Sequence, residues 1–131
     1  MRLGPERIVT SDLRRAVQTA RIVAHKLKLP EPILDERLRE RHWGERQGHS
    51  RFSNPPLLDH EAPVGGESRL NLQQRVFAAA QEYQDGTLIV THAGPIRELT
   101  ERWIQTPKDV EPGEWLEVWI PQESHHGSPG Y

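Results

Sequence analysis

Short apolar runs alternate with amphipathic stretches along this chain, and each change of period marks an element. Arg7-Ile8-Val9-Thr10 has the character of a short strand. After it, Leu13, Ala16, Val17, Ala20, Val23, Ala24 and Leu27 recur at steps of three and four, the period of a helix with one apolar face. Ser11 is placed to cap that helix, with Asp12 in its first turn, and Pro30 ends it. Pro32-Ile33-Leu34-Asp35 reads as a second strand. Arg37 to Ser50 is dense in charge, histidine and glycine without a clear period, so it is an irregular segment on an active face or a short helix. Phe52 to Gly66 holds Pro55, Pro56, Pro63 and a Gly65-Gly66 pair, the composition of a loop. Ser68 then caps a helix carrying Leu72, Val76, Ala79, Ala80 and Tyr83, which Asp85-Gly86 ends. Thr87 to Thr91 is a buried strand followed by His92-Ala93-Gly94, with Pro95 at the first helical position of a third helix. Ile96, Leu99, Trp103 and Ile104 form the apolar face of that helix. Trp115 to Ile120 alternates as a last strand, and Pro121 to Tyr131 is a polar tail.

Strands that alternate with helices give an α/β fold, a parallel sheet between two helical layers. Ligands of such sheets collect at the carboxyl ends of the strands. The turns after Thr10 and Thr91 are two such ends, which directs attention to Arg15 and His92. With 131 residues the chain makes one domain, read as 1–121 with a tail over 122–131. No apolar run exceeds the five residues Val76 to Ala80, far short of the roughly 20 a membrane span needs. The first residues contain no apolar signal core, which points to the cytoplasm. Absent cysteine excludes disulfides, thiolate metal sites and a cysteine nucleophile. A net charge of −2 is too balanced for a nucleic-acid partner. Basic residues nevertheless gather in the first 51 positions, and 14 of the 17 are arginine, the side chain suited to bidentate phosphate contacts.

Three positions carry candidate chemistry. Arg14-Arg15 sits one turn into the first helix, whose free N-terminal N–H groups and macrodipole already favour an anion, and a guanidinium there adds a matching fork. The competing reading is an ordinary exposed arginine on an amphipathic helix. His92, between a buried strand and the Gly94-Pro95 turn, can donate to a phosphate oxygen or accept a proton, or it simply caps the strand. Glu40, in Leu38-Arg39-Glu40-Arg41-His42-Trp43-Gly44, can be pushed up by desolvation or down by its arginine neighbours, or is a solvated surface carboxylate.

Four motifs occur in order: Ser11-Asp12-Leu13-Arg14-Arg15-Ala16-Val17-Gln18-Thr19-Ala20, Leu38 to Gly44, Gly65-Gly66-Glu67-Ser68, and Leu88-Ile89-Val90-Thr91-His92-Ala93-Gly94-Pro95-Ile96-Arg97. Together, over roughly Arg7 to Ile120, the chain resembles the histidine phosphatase superfamily, the phosphoglycerate mutase-like group. The resemblance implies a three-layer α/β/α sandwich and phosphomonoester hydrolysis through a phosphohistidine, with neither metal nor cofactor. Carried over by motif, Arg15 binds phosphate, Glu40 is the acid/base group, and His92 is a catalytic residue that hydrogen-bonds the transferred phosphoryl group. Glu67 and Ser68 order the turn into their helix. The partner implied is a small phosphorylated metabolite, with sugar phosphates, phosphoglycerate, phosphoserine and α-ribazole phosphate all open. Phosphatase chemistry fits better than mutase chemistry, because residues 45–64 are few for a large substrate cap.

The departure lies in the nucleophile. The family carries it in an Arg-His-Gly motif after its first, central strand, and no Arg-His-Gly occurs in this sequence. His125-His126-Gly127 is the nearest tripeptide, and it reads as tail histidines rather than as a permuted motif. The first central strand is therefore expected to be absent and the chain inactive on its own. It is read as a fragment of a phosphatase, or alternatively as a non-catalytic phosphate-binding or interaction module. An open sheet edge further predicts marginal stability and self-association, or pairing with the missing segment.

Overall fold

Successive residues of a strand point to opposite faces, and the whole architecture follows from that rule at Ile8 and Val9. The computed structural model describes residues 4–48, 55–83, 85–105 and 109. Strand β1 (Arg7–Thr10) is the centre of a parallel three-stranded sheet, between β2 (Ile33–Leu34) and β3 (Thr87–Val90). Val9 and Thr10 face Ile33 and Leu34 on one side, and Arg7 to Thr10 face Thr87 to Val90 on the other. Ile8 joins Leu88 and Val90 on one face, where Ala20 and Ala24 of helix α1 (Arg14–Leu27) cover them. Val9 and Ile89 take the opposite face, against Leu38 and Ala79. Ala79 belongs to helix α2 (Arg69–Glu82), which packs with helix α3 (Ala93–Ile104) through Leu72, Val76, Ala80 and Leu99. Phe77 and Trp103 close that contact edge to face at 5.3 Å. Helices on both faces of a parallel sheet make three layers, α/β/α.

The sheet-facing side of α1 buries only alanines, Ala16, Ala20 and Ala24, so the helix lies close to the strands, while Leu27 is exposed. Its beginning differs from the sequence expectation. The helix starts at Arg14 rather than Asp12, and Ser11 is not its cap: Leu13 holds the N-cap position without a side-chain bond. Ser11 Oγ instead accepts from the Leu13 N–H at 3.1 Å, and Asp12 is drawn away by Arg39 through two bonds of 2.6 Å. The helix stops before Pro30, at Lys28, whose left-handed backbone (φ 58°) returns the Leu29 N–H to the Ala24 carbonyl at 2.9 Å.

Ser68 does cap α2, accepting from the Asn71 N–H at 3.1 Å. Helix α2 ends at Glu82, before the expected Asp85-Gly86 stop. Pro95 is the third residue of α3, not the first, still within the turn whose N–H groups have no helical acceptor. The irregular segment resolves into two single 3-10 turns, at Glu36–Leu38 and Gly44–Arg46. Strand β3 is half-buried along its length rather than fully buried, and β1 is its one neighbour among the described strands. Because β1 is hydrogen-bonded on both sides, a further strand can join this sheet only beyond β2 or β3. The expected strand at Trp115–Ile120, the tail from 122 and His125-His126-Gly127 lie outside the described residues.

Candidate functional site

Parallel pairing in register brings the ends of β1 and β3 side by side, and the two chains leave the sheet together. The Ser11 N–H still reaches the Val90 carbonyl at 2.9 Å. One residue further, the side chains take over: His92 Nε2 lies 2.8 Å from Ser11 Oγ, both groups buried. Burial pushes the His92 imidazole below its usual 6.5; the charge of Glu40 opposes this, and those of Arg15 and Arg75 add to it. When Ser11 donates to Nε2, the ring proton sits on Nδ1, which is then the donor available to an anion.

His92 is also the N-cap of α3, and Glu40 occupies that helix's amino end. Glu40 Oε2 accepts from the Gly94 N–H at 3.2 Å and Oε1 from its neighbour Arg41 N–H at 2.9 Å. A carboxylate here meets the positive end of the helix macrodipole. It also explains Gly94, since any side chain there would collide with the Glu40 carboxylate. The segment bearing Glu40 is anchored by Leu38, fully buried beneath it, and by Thr91 Oγ1, which donates to the Leu38 carbonyl at 2.6 Å.

Glu67 and Ser68 form the hinge of this arrangement. Burial alone would raise the Glu67 carboxyl, yet Arg75, the His42 N–H and the charge of Arg41 together hold it below the usual carboxylate range. Backbone meets backbone beside it, because Gly44 (φ 57°) and Gly66 approach so closely that a Cβ on either would strike the other strand of the loop. Arg41 stacks over the Trp43 ring at 4.0 Å.

Arg14 and Arg15 are the first two residues of α1, both exposed. Nearly every other described arginine has an acceptor: Arg37 on Asp35, Arg39 on Asp12, Arg69 on Glu98, Arg75 on Glu67. Arg14 and Arg15 have none among the described residues, and with Leu13 and Gln18 they line an open hollow of about 350 Å³. The structure thus gathers Glu40 and His92 at the amino end of α3, with the Arg15 charge acting on His92. Sequence reasoning missed the place of Gly94 and the part played by Arg75. The glycine at the first turn of a helix was a visible signal for the former; nothing local signalled the latter.

Residues 1–112 match the model of the histidine phosphatase superfamily, branch 1. Phosphoglycerate mutase-like protein 4 of Arabidopsis thaliana is 36% identical over 79% of this chain and 53% of its own length. The glucosyl-3-phosphoglycerate phosphatase of Mycolicibacterium vanbaalenii is 30% identical over 96% of this chain and 68% of its own. A metal-independent phosphoserine phosphatase of Arabidopsis thaliana is 32% identical, covering 79% and 52%. Among solved structures, TTHB049 from Thermus thermophilus superposes with a TM-score of 0.69 at 28% identity, over 86% of this chain and 66% of that one. The chain spans about half the length of the two Arabidopsis relatives and about two thirds of the mycobacterial one. With the family pattern, the parallel sheet and the ordered motifs in agreement, the chain belongs to the histidine phosphatase superfamily.

Proposed function

We propose that these residues form the phosphate-binding and proton-transfer part of a phosphomonoesterase acting on a small phosphorylated metabolite in the cytoplasm. The observation that carries the reading is Arg15, without an acceptor among the described residues, whose charge acts on the buried His92, while His92 and the Glu40 carboxylate meet the amino end of α3. A phosphoryl group brings negative charge, and this corner offers it a guanidinium fork and an imidazole N–H. No Arg-His-Gly occurs in the sequence, and in this reading a segment outside the 131 residues supplies the nucleophilic histidine. On that histidine a P–N bond forms as the P–O bond to the leaving group breaks, and the Glu40 carboxyl protonates the departing oxygen. Glu40, now ionised, takes a proton from water, which attacks phosphorus and breaks the P–N bond. The names of two relatives, a phosphoserine and a glucosyl-3-phosphoglycerate phosphatase, support hydrolysis over mutase transfer.

Hydrolysis of p-nitrophenyl phosphate in EDTA tests this with two chains, the 131 residues alone and the same residues fused behind a relative's Arg-His-Gly strand. The isolated chain shows background turnover, and the fusion shows metal-independent turnover that Arg15→Ala or Glu40→Gln lowers by about 100-fold, the scale of a lost acid/base group. A folded, inactive fusion that still binds phosphate favours a phosphate-binding module instead. Turnover by the isolated chain that disappears with His126→Ala would place the nucleophile in the tail.

A further inference from the structure

Glu40 sits on a stretch with little regular structure of its own, so something else must fix its path. The guanidinium of Arg75 on α2 does so with all five of its N–H groups. Nη1 donates to the carbonyls of Arg37 (2.7 Å) and Arg39 (2.8 Å), and Nη2 to the carbonyl of Glu40 (3.1 Å). The remaining donors go to Glu67, Nε to Oε2 at 3.0 Å and Nη2 to Oε1 at 2.5 Å. Glu67 is fixed in turn by the far end of the same stretch. Its Oε1 accepts from the His42 N–H at 3.0 Å, and its own N–H donates to the His42 carbonyl at 2.8 Å. An arginine needed only to neutralise Glu67 would not close on three carbonyls within four residues. Lysine, with three donors on a point charge, cannot make the same set of bonds.

We propose that Arg75 is a positioning residue: by clasping the carbonyl oxygens of Arg37, Arg39 and Glu40 it sets the Glu40 carboxylate against the Gly94 N–H, beside His92. The functional meaning of that position rests on the acid/base reading of Glu40, but the contact itself does not. Two amides report it directly, since the Arg41 and Gly94 N–H groups both donate to the Glu40 carboxylate.

The test is a pH titration of the full chain by two-dimensional amide NMR. Glu40→Gln identifies the part of the Arg41 and Gly94 shifts that follows Glu40, separating it from the response to His92. In Arg75→Gln the Glu40-dependent shift of Gly94 falls at least fivefold while Ile8 and Val9 keep their native shifts, and Arg75→Lys recovers less than half of it. Folded Arg75→Gln with wild-type titration at both amides overturns the proposal. Should Arg75→Gln fail to fold, Glu67→Gln takes its place. It leaves the guanidinium but weakens its anchor, and the Gly94 amplitude is expected to fall at least twofold. An unchanged amplitude overturns the proposal. Loss of folding in Arg75→Gln, Arg75→Lys and Glu67→Gln alike would make Arg75 a determinant of the fold rather than of Glu40, which also overturns it. None of these readouts uses turnover or phosphate. A positive result in a chain that binds no phosphate would sustain the positioning role and sink the reading of the site.

Discussion

Gly94→Ala is expected to change sign with its background, and the structure gives the reason. Alanine is favoured over glycine within a helix by up to about 1 kcal/mol. At this position, however, the three atoms nearest to a Cβ all belong to the Glu40 carboxylate, which would have to leave. Its departure gives up the bond to the Gly94 N–H, and hydrogen bonds to charged groups contribute about 1.5–3 kcal/mol. Glu40 is half-exposed, so the lower part of that range applies. The balance is a destabilisation of about 0.5–2 kcal/mol in the wild-type chain. In a Glu40→Ala background the obstacle is gone, and Gly94→Ala stabilises by up to about 1 kcal/mol. Urea unfolding followed by circular dichroism on the four chains of this double-mutant cycle measures both values. Equal effects in the two backgrounds, or a neutral Gly94→Ala in the wild type, would refute the contact.

Burial depresses the His92 pKa below 6.5, so between the folded and unfolded values the unfolded chain binds more protons. His92 therefore contributes stability that is full above pH 6.5 and declines as pH falls below it, and in the His92→Gln variant urea midpoints show a shallower decline over that interval. Asp35 is held at about 2, chiefly by its bonds to Arg37 and also by the Tyr83 hydroxyl and the Arg37 N–H. Asp35→Asn is expected to lose about 2 kcal/mol at pH 7, from a shift of nearly two units, and this loss shrinks as pH falls from 3.8 towards 2. Arg69→Met removes the paired bonds of 2.8 and 3.1 Å from the buried Glu98 and leaves it, among the described residues, the Gln73 Nε2 bond at 2.9 Å. A loss of about 2–4 kcal/mol follows, largely recovered in Arg69→Met/Glu98→Met, and thermal melts at pH 7 decide it.

How far the sequence could be read depended on whether a residue's partner lay within its own period. The helical periods of α1 and α2 and the cap at Ser68 are local, and they were legible. The outer turns were not. Ser11 and Asp12 look like a cap and a first-turn acid, but His92 and Arg39, distant in sequence, claim them. Strand β3 looks buried from Leu88-Ile89-Val90, yet burial depends on neighbours that no apolar run reveals. Arg15, Glu40 and His92 were singled out because their motifs keep a fixed order, whereas Arg75 stands in an unremarkable helix, and only the carbonyls it meets across the fold set it apart.

Anion binding by the 131-residue chain tests the central claim most directly. Calorimetric titration with phosphate, repeated with vanadate, is expected to give millimolar affinity. Loss of a guanidinium worth about 1.5–3 kcal/mol makes Arg15→Ala at least tenfold weaker. His92→Ala is expected to weaken binding similarly, and amide shifts on binding should centre on Arg15, His92 and Gly94. Phosphate affinity that is unchanged in a folded Arg15→Ala chain would contradict the account.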